Sequence, residues 1–172
     1  LTINAEAATS FTAGAGAGAG TKFAKATLID VNGTAKVDLT GATTNAATLA
    51  TIDASGNTGG VTAVLGATNS VKFTGGTGND SLTLGAAAIA TGKNIDMGAG
   101  DDTLILAAGT DSTSIVGTVT GGAGTDTLSM GYADAVAVSA NTNFDAEVLG
   151  FERLTINNVA SNNDATANEI FT

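Results

Sequence analysis

Cysteine, histidine, proline and tryptophan are all missing from this 172-residue chain, and there is a single tyrosine, Tyr132. Without thiol or imidazole there are no usual zinc or copper ligands, no cysteine or histidine nucleophile and no Ser-His-Asp triad. No disulfide can staple the chain, so its stability as a secreted protein would have to come from bound metal or self-association. Aromatic residues make up only 4%, and much of the 43% hydrophobic content is alanine, which fills a thick core poorly. A narrow interior lined by ladders of small and medium side chains needs less bulk. Basic residues are scarce as well, 6 Lys and Arg against 16 Asp and Glu, for a net charge of −10. Nucleic acid and anionic lipid both call for basic patches, so neither is an expected partner, whereas divalent cations are. No run of 18 apolar residues reads as a transmembrane helix. The chain opens Leu1-Thr2-Ile3 without an initiator methionine, and we expect it to be a piece of a longer protein.

Glycine, by contrast, is abundant and patterned. GGTGNDSLT at 75–83, MGAGDDTLI at 97–105 and GGAGTDTLS at 121–129 each fit G-G-x-G-x-D-x-U-x, where U is a large apolar residue, with Met97 replacing one first glycine. This pattern reads as a calcium-binding turn feeding a β-strand. Asp80, Asp102 and Asp126 contribute one carboxylate each, and calcium takes hard oxygen ligands in flexible geometry. Asn79 and Asp101 are further candidates, and Thr125 a weaker one. A lone turn of this kind is as readily a glycine-rich hairpin whose Asp bonds its own backbone. Three turns in register with matched strands favour the metal.

The turns are not back-to-back nonapeptides, because Gly76 to Gly98 spans 22 residues and Gly98 to Gly122 spans 24. That step suits one coil of a β-solenoid, with a strand on each side of the turn. Leu82, Leu104 and Leu128 keep it, as do Leu84, Leu106 and Met130, and alternation with polar residues gives the period of two of strands with one buried face. One calcium ion is expected between the first and second turns and another between the second and third. The ladder extends N-terminally through Ile29, Ile52, Phe73, Ile95 and Val119, which predicts five coils. The fold class is therefore all-β, a β-solenoid or parallel β-roll with coils of about 21–24 residues and calcium turns stacked along one edge.

The expected organisation is an N-terminal strand and Ala/Gly-rich segment over 1–26, the solenoid over 27–156 with calcium turns at 75–129, and a polar tail over 157–172. Ala13–Gly20 reads as a low-complexity loop. Metal binding should fade toward the N-terminus, where Asp53 and Asn57 are the extra ligand candidates but Asx-turn bonding is the preferred reading. Residues 133–138, ADAVAV, alternate as a strand, and 148–156, VLGFERLTI, read as a closing or continuing coil.

The three motifs resemble the RTX (repeats-in-toxin) family. The stretch from Val71 to Ile156, with VKFTGGTGNDSLTLG, MGAGDDTLIL, GGAGTDTL and GFERLTI, resembles surface-layer (S-layer) proteins of the Caulobacter type. The resemblance implies a secreted, calcium-dependent β-roll, exported by a type I system and assembled into a surface lattice. It also implies a ligand set of Gly76, Gly78, Asp80, Gly98, Gly100, Asp102, Gly122, Gly124 and Asp126, to which Asp101 is added from the residues themselves. No C-terminal export signal of that family is identifiable.

The expected function is structural: a self-assembling extracellular module of an S-layer or surface fibre, with calcium driving folding after secretion. Self-association is the expected interaction, and cell-surface polysaccharide a further candidate partner. The alternatives are a spacer in a large RTX adhesin and a non-catalytic module of a secreted polysaccharide-active enzyme. Catalysis is not expected, since histidine and an aromatic sugar platform are missing and there is one arginine, Arg153.

Overall fold

Short segments that alternate apolar and polar residues can bury one face only as strands stacked on neighbours of the same pattern. The computed structural model describes residues 1–10, 25–43, 48–65, 71–85, 93–107, 117–140 and 143–158. The strands come in chain-consecutive pairs: β1 (Thr2–Ala5) and β2 (Thr9–Ser10), β3 (Leu28–Gly33) and β4 (Val37–Asp38), β5 (Thr51–Asn57) and β6 (Val61–Leu65), β7 (Lys72–Thr74) and β8 (Ser81–Leu84). They continue with β9 (Ile95–Asp96) and β10 (Thr103–Leu106), β11 (Val119–Thr120) and β12 (Thr127–Gly131), β13 (Val148–Leu149) and β14 (Arg153–Asn157). Odd-numbered strands form one seven-stranded sheet and even-numbered strands the other, each in chain order. All pairings are parallel. This is a β-solenoid, in which each pair is one coil and the core lies between the sheets.

The register follows the apolar step of the sequence. Ile29, Ile52, Phe73, Ile95 and Val119 stand opposite one another on successive strands, and Val148 continues the row. In the second sheet Ala63, Leu82, Leu104, Leu128 and Leu154 form the matching row. The first row is sealed from solvent from Ile29 to Val119, as are Leu82 and Leu104 in the second. Each such burial is worth about 1.5–3 kcal/mol, and ladders of this kind supply the core that the few aromatics cannot.

The ladder runs on at both ends. Thr2–Ala5 pair with Asp30–Gly33, so the N-terminal strand belongs to the solenoid, and β13 with β14 form the closing or continuing coil expected at 148–156. One expectation is corrected. The segment read as a strand is a helix, α2 (Tyr132–Ser139), which follows α1 (Thr40–Thr43) and precedes α3 (Phe144–Glu147). Alanine is the strongest helix former, and Asp134 in the first turn complements the helix dipole. Helical spacing puts Asp134 and Val138 on one buried face and leaves Val136 45% exposed, which a strand alternation would not do. Ala13–Gly20 and the tail beyond Asn158 lie outside the described residues.

Candidate metal centre

The turns between the sheets come in two lengths. Those at 75–80, 97–102 and 121–126 have six residues and are the glycine–aspartate motifs; those at 6–8, 34–36, 58–60 and 150–152 have three. The first residue of each long turn still belongs to the strand ladder. The N–H of Gly75 donates to the Asp96 carbonyl (2.7 Å), that of Met97 to Thr120 (3.0 Å) and that of Gly121 to Leu149 (2.9 Å). Met97 thus sits as an extension of its strand, with its side chain fully buried in the core.

Beyond that residue the backbone needs glycine. Gly98, Gly100, Gly122 and Gly124 have φ of 96°, 125°, 110° and 144°, which side chains rarely tolerate. Gly76 and Gly78 lie outside that range and are required for space, since a Cβ would overlap the Asn57 carbonyl or the Gly60 amide of the preceding coil. The turns stack closely: Ala99 N–H donates to the Gly76 carbonyl and Ala123 N–H to the Gly98 carbonyl, both at 2.9 Å. Each of those carbonyls keeps a second lone pair.

Asp80, Asp102 and Asp126 end the turns with their side chains inside the roll, 3%, 1% and 0% exposed. Their position explains why. In the N-terminal coils the amide at this level finds a backbone carbonyl: Thr9 N–H donates to Lys36 and Val37 N–H to Gly60, each at 3.0 Å. Where the next turn is six residues long, an aspartate supplies the acceptor instead. Val61 N–H donates to Asp80 Oδ1 (2.6 Å), Asp80 N–H to Asp102 Oδ1 (2.6 Å) and Asp102 N–H to Asp126 Oδ1 (2.8 Å). The series ends with Asp126 N–H on Glu152 Oε2 at 2.8 Å. Buried amides must be satisfied, so the aspartates have a structural task whether or not metal is bound.

That task uses one oxygen of each. Asp80 Oδ2 has a long contact with Gly76 N–H at 3.4 Å, while Asp102 Oδ2 and Asp126 Oδ2 are buried with no hydrogen-bond partner. Among the described residues no lysine or arginine forms an ion pair with any of the three. Burial pushes the Asp80 carboxyl up to about 6, against the opposing pull of the Val61 and Gly76 amides. Burial also pushes Asp102 up to about 7, opposed by the Asp80 amide and reinforced by the charges of Asp80, Asp126 and Asp101. Asp126 is raised too, chiefly by burial and then by Glu152 and Asp101, against the Asp102 amide. A column of stacked carboxylates in a closed interior must be neutralised by protons or by a cation.

The residues fit a hard cation. Two of the column's buried carboxylate oxygens, Asp102 Oδ2 and Asp126 Oδ2, lack any partner, and the stacked glycine turns bring backbone carbonyls into the same column. Among the described residues no three His, Cys, Asp or Glu side chains converge, so any ion here would take part of its ligand set from carbonyls. Asp101 stands apart from the inner column: it is exposed, its Oδ1 accepts Thr125 N–H at 2.9 Å, and its own N–H donates to Asn79 Oδ1 at 3.0 Å. Asn79, Asp101 and Thr125 thus form a second ladder along the outer rim. At the N-terminal candidates the Asx-turn reading matches the geometry. Asp53 Oδ1 accepts from Ser55, and Asn57 Oδ1 accepts the Gly59 and Gly60 amides at 3.0 and 2.7 Å.

Glu152 and Gly150 were not singled out from the sequence. The signal was there, since Asp126 to Glu152 is 26 residues, close to the preceding steps of 22 and 24. The short turn and the exchange of Asp for Glu hide it. No family model matches this chain, and neither a curated protein nor a solved structure matches it.

Proposed function

We propose that this chain is a calcium-dependent structural module that folds and self-assembles outside the cell, as part of an S-layer or surface fibre. The observation that carries the reading is the buried carboxylate column, in which Asp102 and Asp126 each hold an oxygen without a partner. When bound, calcium would supply the positive charge and the oxygen-seeking coordination that these groups lack. The residues placed to hold it are Asp80, Asp102 and Asp126 with carbonyls of the turn glycines, including Gly76, Gly98 and Gly122 and their partners Gly78, Gly100 and Gly124. The chain's own part is to stack the turns, exclude water and satisfy one oxygen of each carboxylate with a backbone amide. Without a cation the column repels itself and weakens the C-terminal coils. An ion bound only by the folded state adds RT ln(1 + [L]/Kd), roughly 2.7 kcal/mol per site at a hundredfold excess over Kd. Such a protein stays loose where calcium is scarce and locks where it is plentiful, which favours folding after export.

Assembly rests on a second feature. Among the described residues each sheet ends on a strand paired on one side only, β1 and β2 at one end and β13 and β14 at the other, and such edges template further strands. Leu149 and Leu154 are 47% and 59% exposed on the C-terminal coil, although Leu154 stands in the core row. Circular dichroism during a calcium titration, followed by electron microscopy, tests both parts. The expected result is β-structure gained with calcium, then ordered sheets or fibres. Full β-structure in excess chelator would remove the folding role, and soluble calcium-loaded monomers would favour a spacer module over a lattice subunit.

A further inference from the structure

We infer that Asp126, Glu152 and the carbonyl of Gly150 form an additional calcium position, one coil beyond the last glycine–aspartate turn, in a stretch without the Gly-x-Asp pattern. The inference rests on the calcium reading above and extends it to a turn of different length and sequence. Asp126 is 0% exposed, its Oδ1 takes the Asp102 amide, and its Oδ2 has no partner. That free oxygen faces the space left by the missing side chain of Gly121. A Cβ there would lie 2.7 Å from Asp126 Oδ2 and would overlap the Gly150 carbonyl oxygen. A carboxylate oxygen and a carbonyl oxygen from successive coils therefore meet over one glycine.

The same arrangement occurs two coils earlier. A Cβ on Gly75 would overlap both Asp80 Oδ2 and the carbonyl of Met97. At the intervening coil the equivalent place carries the Met97 side chain. The turn at 150–152 thus supplies, from three residues, the carbonyl that pairs with Asp126 Oδ2 as the Met97 carbonyl pairs with Asp80 Oδ2. Gly150 has φ of 72°, and glycine makes that conformation cheap. Glu152 completes the position. Its Oε2 accepts the Asp126 amide at 2.8 Å, which brings its charge close enough to act on the Asp126 carboxyl, and the residue is exposed. The extra methylene of glutamate suits a turn that is three residues shorter.

The test compares the full chain with Glu152→Gln by native mass spectrometry and calorimetric titration with calcium. Glutamine keeps an oxygen for the Asp126 amide and removes only the charge. The expected result is one fewer bound ion in the variant, or one site weakened at least tenfold, with the remaining sites unchanged. An identical count and affinity would overturn the inference while leaving the calcium reading intact, and a wild type that binds no calcium would overturn both. Should the variant not fold, substoichiometric Mn2+ on the wild-type chain decides by amide line broadening. Broadening at Gly150 and Glu152 matching that at Gly76 and Gly98 supports the position, and sharp signals at 150–152 beside broadened ones at 76 and 98 reject it.

Discussion

The N-terminal and C-terminal coils share one backbone plan but fill one inward column in different ways. Reading along the chain, the column runs Thr9, Val37, Val61, Asp80, Asp102, Asp126, Glu152. Val37 and Val61 are as fully buried as the aspartates that follow. In the N-terminal coils Asp53 Oδ1 and Asn57 Oδ1 accept from their own coil, and Asn57 Nδ2 donates back to the Ala35 carbonyl of the preceding coil at 3.1 Å, so no carboxylate links these coils. The C-terminal turns are long, and their carboxylates bridge from coil to coil with an oxygen left over. An inward position holds valine where its own coil's backbone carbonyl accepts the amide of the coil before it, and an acidic residue where it does not. The first half is a hydrophobic ladder stable on ordinary terms, and the second is built around charge that must be answered.

The largest expected effect comes from truncating the shared core. Ile52→Ala should cost about 2–5 kcal/mol in denaturant unfolding, by the same amount with calcium or with chelator, because Ile52 lies in the half without the carboxylate column. A calcium-dependent cost would mean that the two halves are not separable. Next, hydrogen exchange in chelator at neutral pH should show faster amides over 93–107 and 117–131 than over 28–33 and 51–65. Saturating calcium should close that gap by roughly 2.7 kcal/mol per site at a hundredfold excess over Kd. Equal protection of both halves in chelator would remove the distinction.

A sharper test is Asp102→Asn, which keeps an oxygen for the Asp80 amide and removes a buried charge. It should stabilise the metal-free chain by about 1 kcal/mol near neutral pH through relief of the buried charge and abolish part of the calcium gain, so that the sign of the effect reverses between chelator and calcium. The same sign in both conditions would contradict the model of an unanswered charge. The smallest effect concerns pH without metal. Asp80 and Asp102 have folded values raised to about 6 and about 7, above the ordinary 3.8, so the folded state holds protons that the unfolded state has released. Stability from this source is complete below about pH 4 and is lost as pH rises through 6 to 7. In the N-terminal half Asp38 and Asp53 are lowered, first by bonds from Thr40 and Ser55 respectively, so their contribution has the opposite sign and fades as pH falls below the usual carboxylate range. Thermal melts in chelator should rise between pH 8 and 5, and a flat profile would reject the raised values.

Much of the fold was legible because a solenoid writes its geometry as a period. The spacing of Ile29, Ile52, Phe73, Ile95 and Val119 already stated which residues stack, and the register agrees residue for residue. Legibility failed where the period was interrupted. Alanine and valine in 132–139 alternate as in a strand, yet the choice between strand and helix was settled by the strong helix preference of alanine and by packing over β12 and β14. The glycine–aspartate turns were evident from sequence, but the inward direction of their carboxylates and the amide each one satisfies depend on the neighbouring coil. For the same reason Val37 and Val61 gave no sign of sharing a column with Asp80, since nothing local relates them.

The amide-to-carboxylate series has a consequence for how this molecule can change size. Every middle coil gives one amide to the coil after it and receives one from the coil before it, so each is an interchangeable link. Removing Met97 to Thr120 would take out one link, bring Asp126 into reach of the Asp80 amide, and shorten the rod by roughly 4.8 Å, one strand spacing. Cutting half a coil would set strands of one sheet against the ladder of the other and lose the register of both. Length in this design is therefore counted in whole coils, and a chain built this way can be lengthened or trimmed by copy number alone.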